Sequence, residues 1–200
     1  MKRHLILFLC STSFLMSCGQ TNKLSKEDYE WMPYKGNETL VFKSKTGETD
    51  TIFLLKKDTL LAYPEAQVLN GIKYEVVSVF CKHSDSNTTN GKHRYLNNNF
   101  FKIEKAKDNR AEIVIRVLAK GAKFYKLSSI KIDSLNRAKP STVETRFRQY
   151  DDVYVINAED YLGNLHQRSN FITKVYWSKS NGLIRYDKKD NVYWELINKY

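Results

Sequence analysis

Polar and apolar residues alternate along most of this chain with a period of two. In EIVIRVL (112–118), Ile113, Ile115 and Val117 point one way and Glu112 and Arg116 the other, as in a strand with one buried face. ETLVFKS (38–44) and TDTIFLLK (49–56) flank the turn-like KTGE (45–48), which predicts a hairpin with Gly47 at a positive-φ position. KYEVVSVFCK (73–82) is dense in β-branched and aromatic residues, and FYKLSSIKI (124–132), TVETRFRQY (142–150) and DVYVIN (152–157) are predicted as further strands. ITKVYWSKS and LIRYDKK flank Asn181-Gly182, a dipeptide that type I′ turns favour because both central residues need positive φ; NVYWELI (191–197) follows. Helical signals are sparse. Pro64 limits DTLLAYPEAQVLN (58–70) to at most a short helix beginning near it, and IDSLNRA (132–138) has room for one or two turns. SDSNTTNGK (84–92) reads as a polar loop. The predicted fold is mainly β: a single antiparallel curved sheet or partly open barrel with one or two short helices.

The beginning of the chain, MKRHLILFLCSTSFLMSCGQTN, breaks this pattern. Lys2, Arg3 and His4 are basic, and Leu5 to Met16 is an apolar run too short to span a bilayer but of signal-peptide length. Leu15-Met16-Ser17-Cys18 resembles a bacterial lipobox. That resemblance implies cleavage between Ser17 and Cys18, diacylation of the Cys18 thiol and acylation of the new amino group. A small residue at Ser17 lets the peptidase close on the bond, and the thiol is the nucleophile that takes the lipid. Several acyl chains anchor stably where one holds only marginally. The alternative is an ordinary secretory signal cut near Ser11 to Ser13; Cys10 has no role in either. The expected organisation is a signal peptide over 1–17, a lipidated N-terminus and flexible tether over 18–35, and a β-rich globular domain over 36–200. A tether of that length reaches roughly 20 to 25 Å. Trp31, Met32 and Tyr34 near its end are expected to dock on the domain.

Charge narrows the partners. The formal net charge is +11, which falls to +9 when Lys2 and Arg3 leave with residues 1–17. For an exported domain this favours anionic lipid, lipopolysaccharide, glycan or an envelope protein, with the membrane itself reached through Cys18, and disfavours nucleic acid. A solvated basic surface without a partner is the alternative. With Cys18 acylated, Cys81 is the one cysteine left in the mature chain, so no intramolecular disulfide forms and the fold rests on its core.

VYWSKSNGLIRYDKKDNVYWEL (175–196) and YKGNETLVFKS (34–44) resemble segments of uncharacterised small lipoproteins of Bacteroidota, of the flavobacterial kind, a resemblance that brings no activity with it. More remotely, the Gly-Leu-Ile-x-Tyr hairpin resembles the half-barrel periplasmic lipoprotein carriers, which bind lipid in an open β-barrel. The Bacteroidota resemblance implies O-glycosylation at Asp-Ser/Thr-apolar triplets, here Thr51, Thr59 and Ser134, with Thr59 first because it falls in an expected loop. With no acid between Gly19 and Ser25, it also implies an outer-membrane anchor facing the periplasm.

Catalytic chemistry is thin. Cys81, His83 and Asp85 would share a strand face, with His93 beyond a loop. These residue types suit zinc, and Cys81 with a histidine suits a nucleophile and base. The spacing matches no zinc signature, however, and Cys81 continues the face of Val77 and Val79, as a buried structural cysteine does. No metal site and no cofactor are assigned. Asp151-Asp152 and Glu159-Asp160 are neighbours on opposite faces, which suits turns and edges rather than an acid/base pair. His166 stands alone in a loop-like stretch. No Gly-rich phosphate loop, G-x-S-x-G or H-E-x-x-H occurs. The expectation is a non-enzymatic binding or envelope-assembly module. The alternatives are an envelope hydrolase using the Cys81/His83/His93 region and a structural subunit of an envelope complex.

Overall fold

The structure, a computed structural model, describes residues 20–63, 71–83, 99–119, 122–126, 128–169 and 171–200. The first half holds β1 (Thr21–Asn22), α1 (Lys26–Tyr29), β2 (Thr39–Ser44), β3 (Thr49–Ala62), β4 (Lys73–His83), β5 (Asn99–Lys105) and β6 (Ala111–Ile115). The second holds β7 (Leu118–Ala119), β8 (Ala122–Phe124), β9 (Ile130–Lys131), α2 (Ile132–Arg137), β10 (Ser141–Glu144), β11 (Gln149–Asn157), β12 (Phe171–Ser178), β13 (Gly182–Lys188) and β14 (Tyr193–Lys199). They form one curled sheet in the order β10-β11-β12-β13-β14-β2-β3-β4-β5-β6-β9, antiparallel along that path, and the curl makes a half-barrel. The mainly β, antiparallel expectation is met.

Bulges set the curl. Register shifts fall between Leu54 and Lys57 on β3, Val79 and Phe80 on β4, and Leu196 and Asn198 on β14, and each adds local twist. At one end the limbs are laced together. β7 runs on from β6 and pairs with β8, and β8 adds in parallel to the start of β12 through Phe171↔Lys123 and Ile172↔Phe124. The concave face is filled with side chains. Trp177 stacks on Phe101 with centroids 4.5 Å apart and meets Tyr34 edge-on at 5.8 Å, while Tyr186 stacks on Trp194 at 6.0 Å. All of these rings are fully or almost fully buried in one core cluster.

Residues 20–35 depart from expectation. They are not a free tether. β1 pairs in parallel with β4 through Thr21↔Lys73 and Asn22↔Tyr74. α1 has a reciprocal capping box: the Asp28 N–H donates to Ser25 Oγ (3.1 Å) and the Ser25 N–H donates to Asp28 Oδ2 (2.8 Å), which satisfies two orphan donors of the first turn. Lys105 on β5 pairs with Asp28 at 2.8 Å, and Glu75 on β4 accepts from the Leu24 N–H (2.7 Å) and the Tyr29 hydroxyl (2.9 Å). Trp31 and Tyr34 are buried in the core, so they dock on the domain as expected. Four helical residues cannot hold themselves helical in water; this segment is ordered because the sheet grips it.

Other expectations shift. β3 continues as strand to Ala62, so the stretch expected to be loop or helix from Asp58 is strand up to there; residues 64–70, where the Pro64 helix was expected, and the polar loop at 84–92 lie outside the described residues. FYKLSSIKI is not one strand: β8 ends at Phe124 and only Ile130–Lys131 pairs again. TVETRFRQY splits into β10, a turn, and the start of β11. The turn at Asn181-Gly182 is not type I′, because Gly182 has φ +84° while Asn181 is not among the residues of positive φ. Gly47 has the expected positive φ, at +94°. α2 forms where a short helix was expected.

Candidate functional site

The expected site residues do not converge. Ser17, Cys18, Asp85 and His93 lie outside the described residues, and His83 closes β4. Cys81 is buried on the core side beside Val79, and burial pushes its thiol up to about 12. A thiol so hard to ionise and so hidden is a poor nucleophile. In a Cys10→Ser, Cys18→Ser protein, Cys81 should resist a thiol reagent at pH 8 and react fully only after guanidinium unfolding; a full equivalent of reaction within minutes in the native state would contradict this burial. Among the described residues no three His, Cys, Asp or Glu side chains gather as a metal ligand set. Thr51 and Thr59 both lie on β3, and Ser134 lies on α2. Thr59 is therefore exposed strand, not loop.

The acidic pairs serve turns. Asp152 accepts from Ser178 Oγ (2.6 Å) and the Ser180 N–H (2.7 Å), closing the β12–β13 turn. Asp160 accepts from the Leu165 N–H (2.9 Å), the His166 N–H (3.3 Å) and the His166 ring, so His166 is not alone. Partial desolvation pushes the Asp160 carboxyl up, but these bonds outweigh it and hold the group down at about 2. A carboxylate that stays ionised to such low pH cannot serve as a general acid near neutrality.

Sequence reasoning missed a cleft of about 500 Å³ on the outward face of β5 and β6, roofed by β8 and the chain after it. Phe101, Ile103, Ile113 and Ile115 face the core, so the alternating positions Lys102, Glu104, Val114 and Arg116 face the cleft. Lys123, Tyr125, Lys126, Ser129 and Tyr161 complete the wall. The acids here are committed. Lys102 donates to Glu104 at 2.6 Å, Ser129 donates to Glu112, and Glu159 takes Lys126 at 2.5 Å and Ser128 Oγ at 3.0 Å. Arg116 and Lys123 have no carboxylate partner among the described residues; the Lys123 ammonium lies over the Tyr125 ring at 5.1 Å. Tyr125 is held from behind by stacking on Phe171 (5.9 Å) and by Arg168, whose Nη1 donates to its hydroxyl at 3.2 Å. Tyr161, 49% exposed, stands at 6.4 Å from it. Asn99 Oδ1 is buried in the same wall and accepts no hydrogen bond among the described residues.

A second charged cluster shows what a structural network looks like in this protein. Arg146, in the β10–β11 turn, donates to Glu195 at 2.7 Å and to the Lys43 and Ser44 carbonyls at 3.1 and 3.0 Å. Arg185 pairs with Asp187 at 2.7 Å and stacks on Tyr193 at 4.2 Å. Each guanidinium there is spent tying the turn or strand to its neighbours. Arg116 is not.

The Arg116 guanidinium and Asn99 Oδ1, without partners among the described residues, the Lys123 ammonium and the exposed Tyr161 ring beside Tyr125 give the cleft a cationic, aromatic lining whose chemistry suits an anionic, hydroxyl-rich group. The volume is in the range of small-molecule sites. Comparison with known protein families, with curated proteins and with solved structures finds no match to this chain. The molecule is a β half-barrel with a filled interior and a cationic, aromatic cleft on its outer face.

Proposed function

We propose that the protein is a non-enzymatic binding module of the bacterial envelope, anchored through acyl chains on Cys18 and facing the periplasm from the outer membrane, and that the Arg116 cleft takes an anionic group of an envelope lipid or glycan. The lipobox-like Leu15 to Cys18 and the resemblance to Bacteroidota lipoproteins support the anchor. The observation that carries the binding reading is the pair of cations, Arg116 and Lys123, facing one cleft without carboxylate partners among the described residues. The filled concave face favours this outer cleft over the interior as the binding surface, and the burial of Cys81 weighs against the hydrolase alternative.

The test is calorimetric titration of the purified full chain with trigalacturonate, a phosphorylated lipid A disaccharide and the methyl ester of trigalacturonate. At least one acidic probe should bind, and Arg116→Gln should weaken it about tenfold, the value of one charge-assisted hydrogen bond of roughly 1.5 kcal/mol. Equal binding by wild type and Arg116→Gln, or equal binding of the ester, would sink the reading.

A further inference from the structure

The folded body begins very close to the anchor. Thr21 is already in β1, and three Cα steps separate it from Cys18, about 11 Å at full extension. The expected reach of the tether was about twice that. Whatever surrounds Thr21 is therefore held at the level of the lipid headgroups when Cys18 carries acyl chains.

What surrounds Thr21 is the far tip of the half-barrel. β3 and β4 run past their neighbours: β2 pairs with β3 only as far as Thr39↔Phe53, and β5 pairs with β4 no further than Val76↔Glu104. The tip is the ladder Leu60↔Val76, Leu61↔Glu75 and Ala62↔Tyr74, with β1 added beside Lys73 and Tyr74. Its described residues carry exposed apolar side chains. Leu61 and Tyr63 are 43% and 49% exposed. They share a face with Glu75, which binds the hydroxyl of the exposed Tyr29, and with Lys73, whose ammonium lies over the Tyr63 ring at 5.3 Å. Leu60, on the reverse side of the same strand end, is 45% exposed. Leucine and tyrosine beside a lysine is the composition of a membrane-interface surface, with the ring at headgroup level. Scattered exposed leucines mean little; these lie at the tip that adjoins the anchor.

We infer that the β1–β4–β3 end is a second membrane contact, seated on the bilayer that holds the acyl chains, with Leu61 and Tyr63 at the headgroup boundary. The inference rests on the proposed acylation of Cys18. It fixes the orientation of the body. β3 has 14 residues, about 45 Å of strand, so the opposite end, where the Lys45 N–H meets the Tyr193 carbonyl at 3.2 Å, stands well away from the bilayer.

Bromolipid quenching tests this. The full-length protein is expressed with its anchor and reconstituted in phosphatidylethanolamine/phosphatidylglycerol vesicles containing dibrominated acyl chains. Tyr63→Trp reports the tip, and Val192→Trp, exposed beside Tyr193, reports the opposite end. The emission added by Tyr63→Trp should be quenched at least twofold more than that added by Val192→Trp. Adding Leu61→Asp should bring Tyr63→Trp down to the Val192→Trp level, with the near-ultraviolet dichroism confirming the fold. Equal quenching at the two ends, in protein whose mass includes acyl chains, overturns the tip contact and leaves the anchor standing. A mass without acyl chains overturns both.

Discussion

Gly182→Ala should be among the most damaging single-methyl changes in this protein, lowering stability by about 4 to 6 kcal/mol. Gly182 is constrained twice. Its φ of +84° is strained for any residue with a Cβ, at about 1 kcal/mol. A Cβ built there lies 2.1 Å from Tyr34 Oη and 2.3 Å from Cζ, well inside van der Waals contact. The ring cannot simply step back. Its hydroxyl accepts the Leu183 N–H at 2.8 Å, its faces meet Phe100 and Trp177, and the Lys199 ammonium lies over it at 4.8 Å while bonding the Pro33 carbonyl at 2.9 Å. Either the overlap stays or Tyr34 leaves the core, at the roughly 3 to 5 kcal/mol that truncating a buried aromatic costs. For a chain of this size each kcal/mol moves Tm by about 2 to 4 °C, so a drop of roughly 10 to 20 °C is expected. Non-additivity identifies the cause. In a Tyr34→Ala background, Gly182→Ala should cost only its φ strain of about 1 kcal/mol. A Gly182→Ala protein melting within 2 °C of the parent would show that the contact is not as tight as the geometry makes it.

That pair also shows what the sequence could and could not reveal. Asn181-Gly182 announced a turn, and a turn is there; the flanking alternation fixed β12 and β13 to within a residue or two. The turn type was missed because Asp152 and Ser178 fasten the residues before Gly182, and Asp152 comes from a different hairpin. Alternation is local, so it found the strands whose two faces differ. It failed on FYKLSSIKI, where β8 ends with Phe124 in the core, Tyr125 lines the cleft and pairing resumes only at Ile130. It also failed on residues 20–35, where only four residues are helical and two form a bridge; nothing in that composition distinguishes a tether from a segment gripped by a distant sheet. The cleft was half legible. The alternation of EIVIRVL turned Arg116 outward, yet an outward arginine usually meets water. Its candidacy comes from Lys123, Tyr125 and Tyr161 arriving beside it, and those are brought by the β7–β8 lacing and a loop beyond β11, which no spacing in the chain encodes.

The gripped segment leads to the second large effect. Trp31→Ala should cost about 3 to 5 kcal/mol and release residues 20–32 from the sheet. Trp31 is fully buried, its ring packs on Tyr154 at 5.0 Å, and its Nε1 donates to Asn136 on α2 at 3.1 Å. The Lys179 ammonium covers it at 5.2 Å and pairs with Glu30 at 2.9 Å. Without the ring, what remains ahead of Tyr34 is a one-turn helix, the two-residue β1, the Leu24 side chain and a few polar bonds, each bond worth about 1 kcal/mol or less. These are too weak to order about a dozen residues at roughly 1 kcal/mol or more apiece, while Tyr34 keeps its own place in the core. Limited proteolysis should therefore cut Trp31→Ala protein at Lys23 or Lys26 while the parent resists, and Tm should fall by roughly 10 to 15 °C. Trp31→Phe, which keeps most of the buried area and loses the Asn136 bond, should fall by less than half as much. If residues 20–35 were a free linker, the alanine variant would melt and digest like the parent, and that outcome would remove the basis for placing the β3–β4 tip at the membrane. The alternative outcome ties stability to geometry: the same ring that packs into the core keeps the folded body three residues from Cys18, the proposed acylation site, and losing it lengthens that span several-fold.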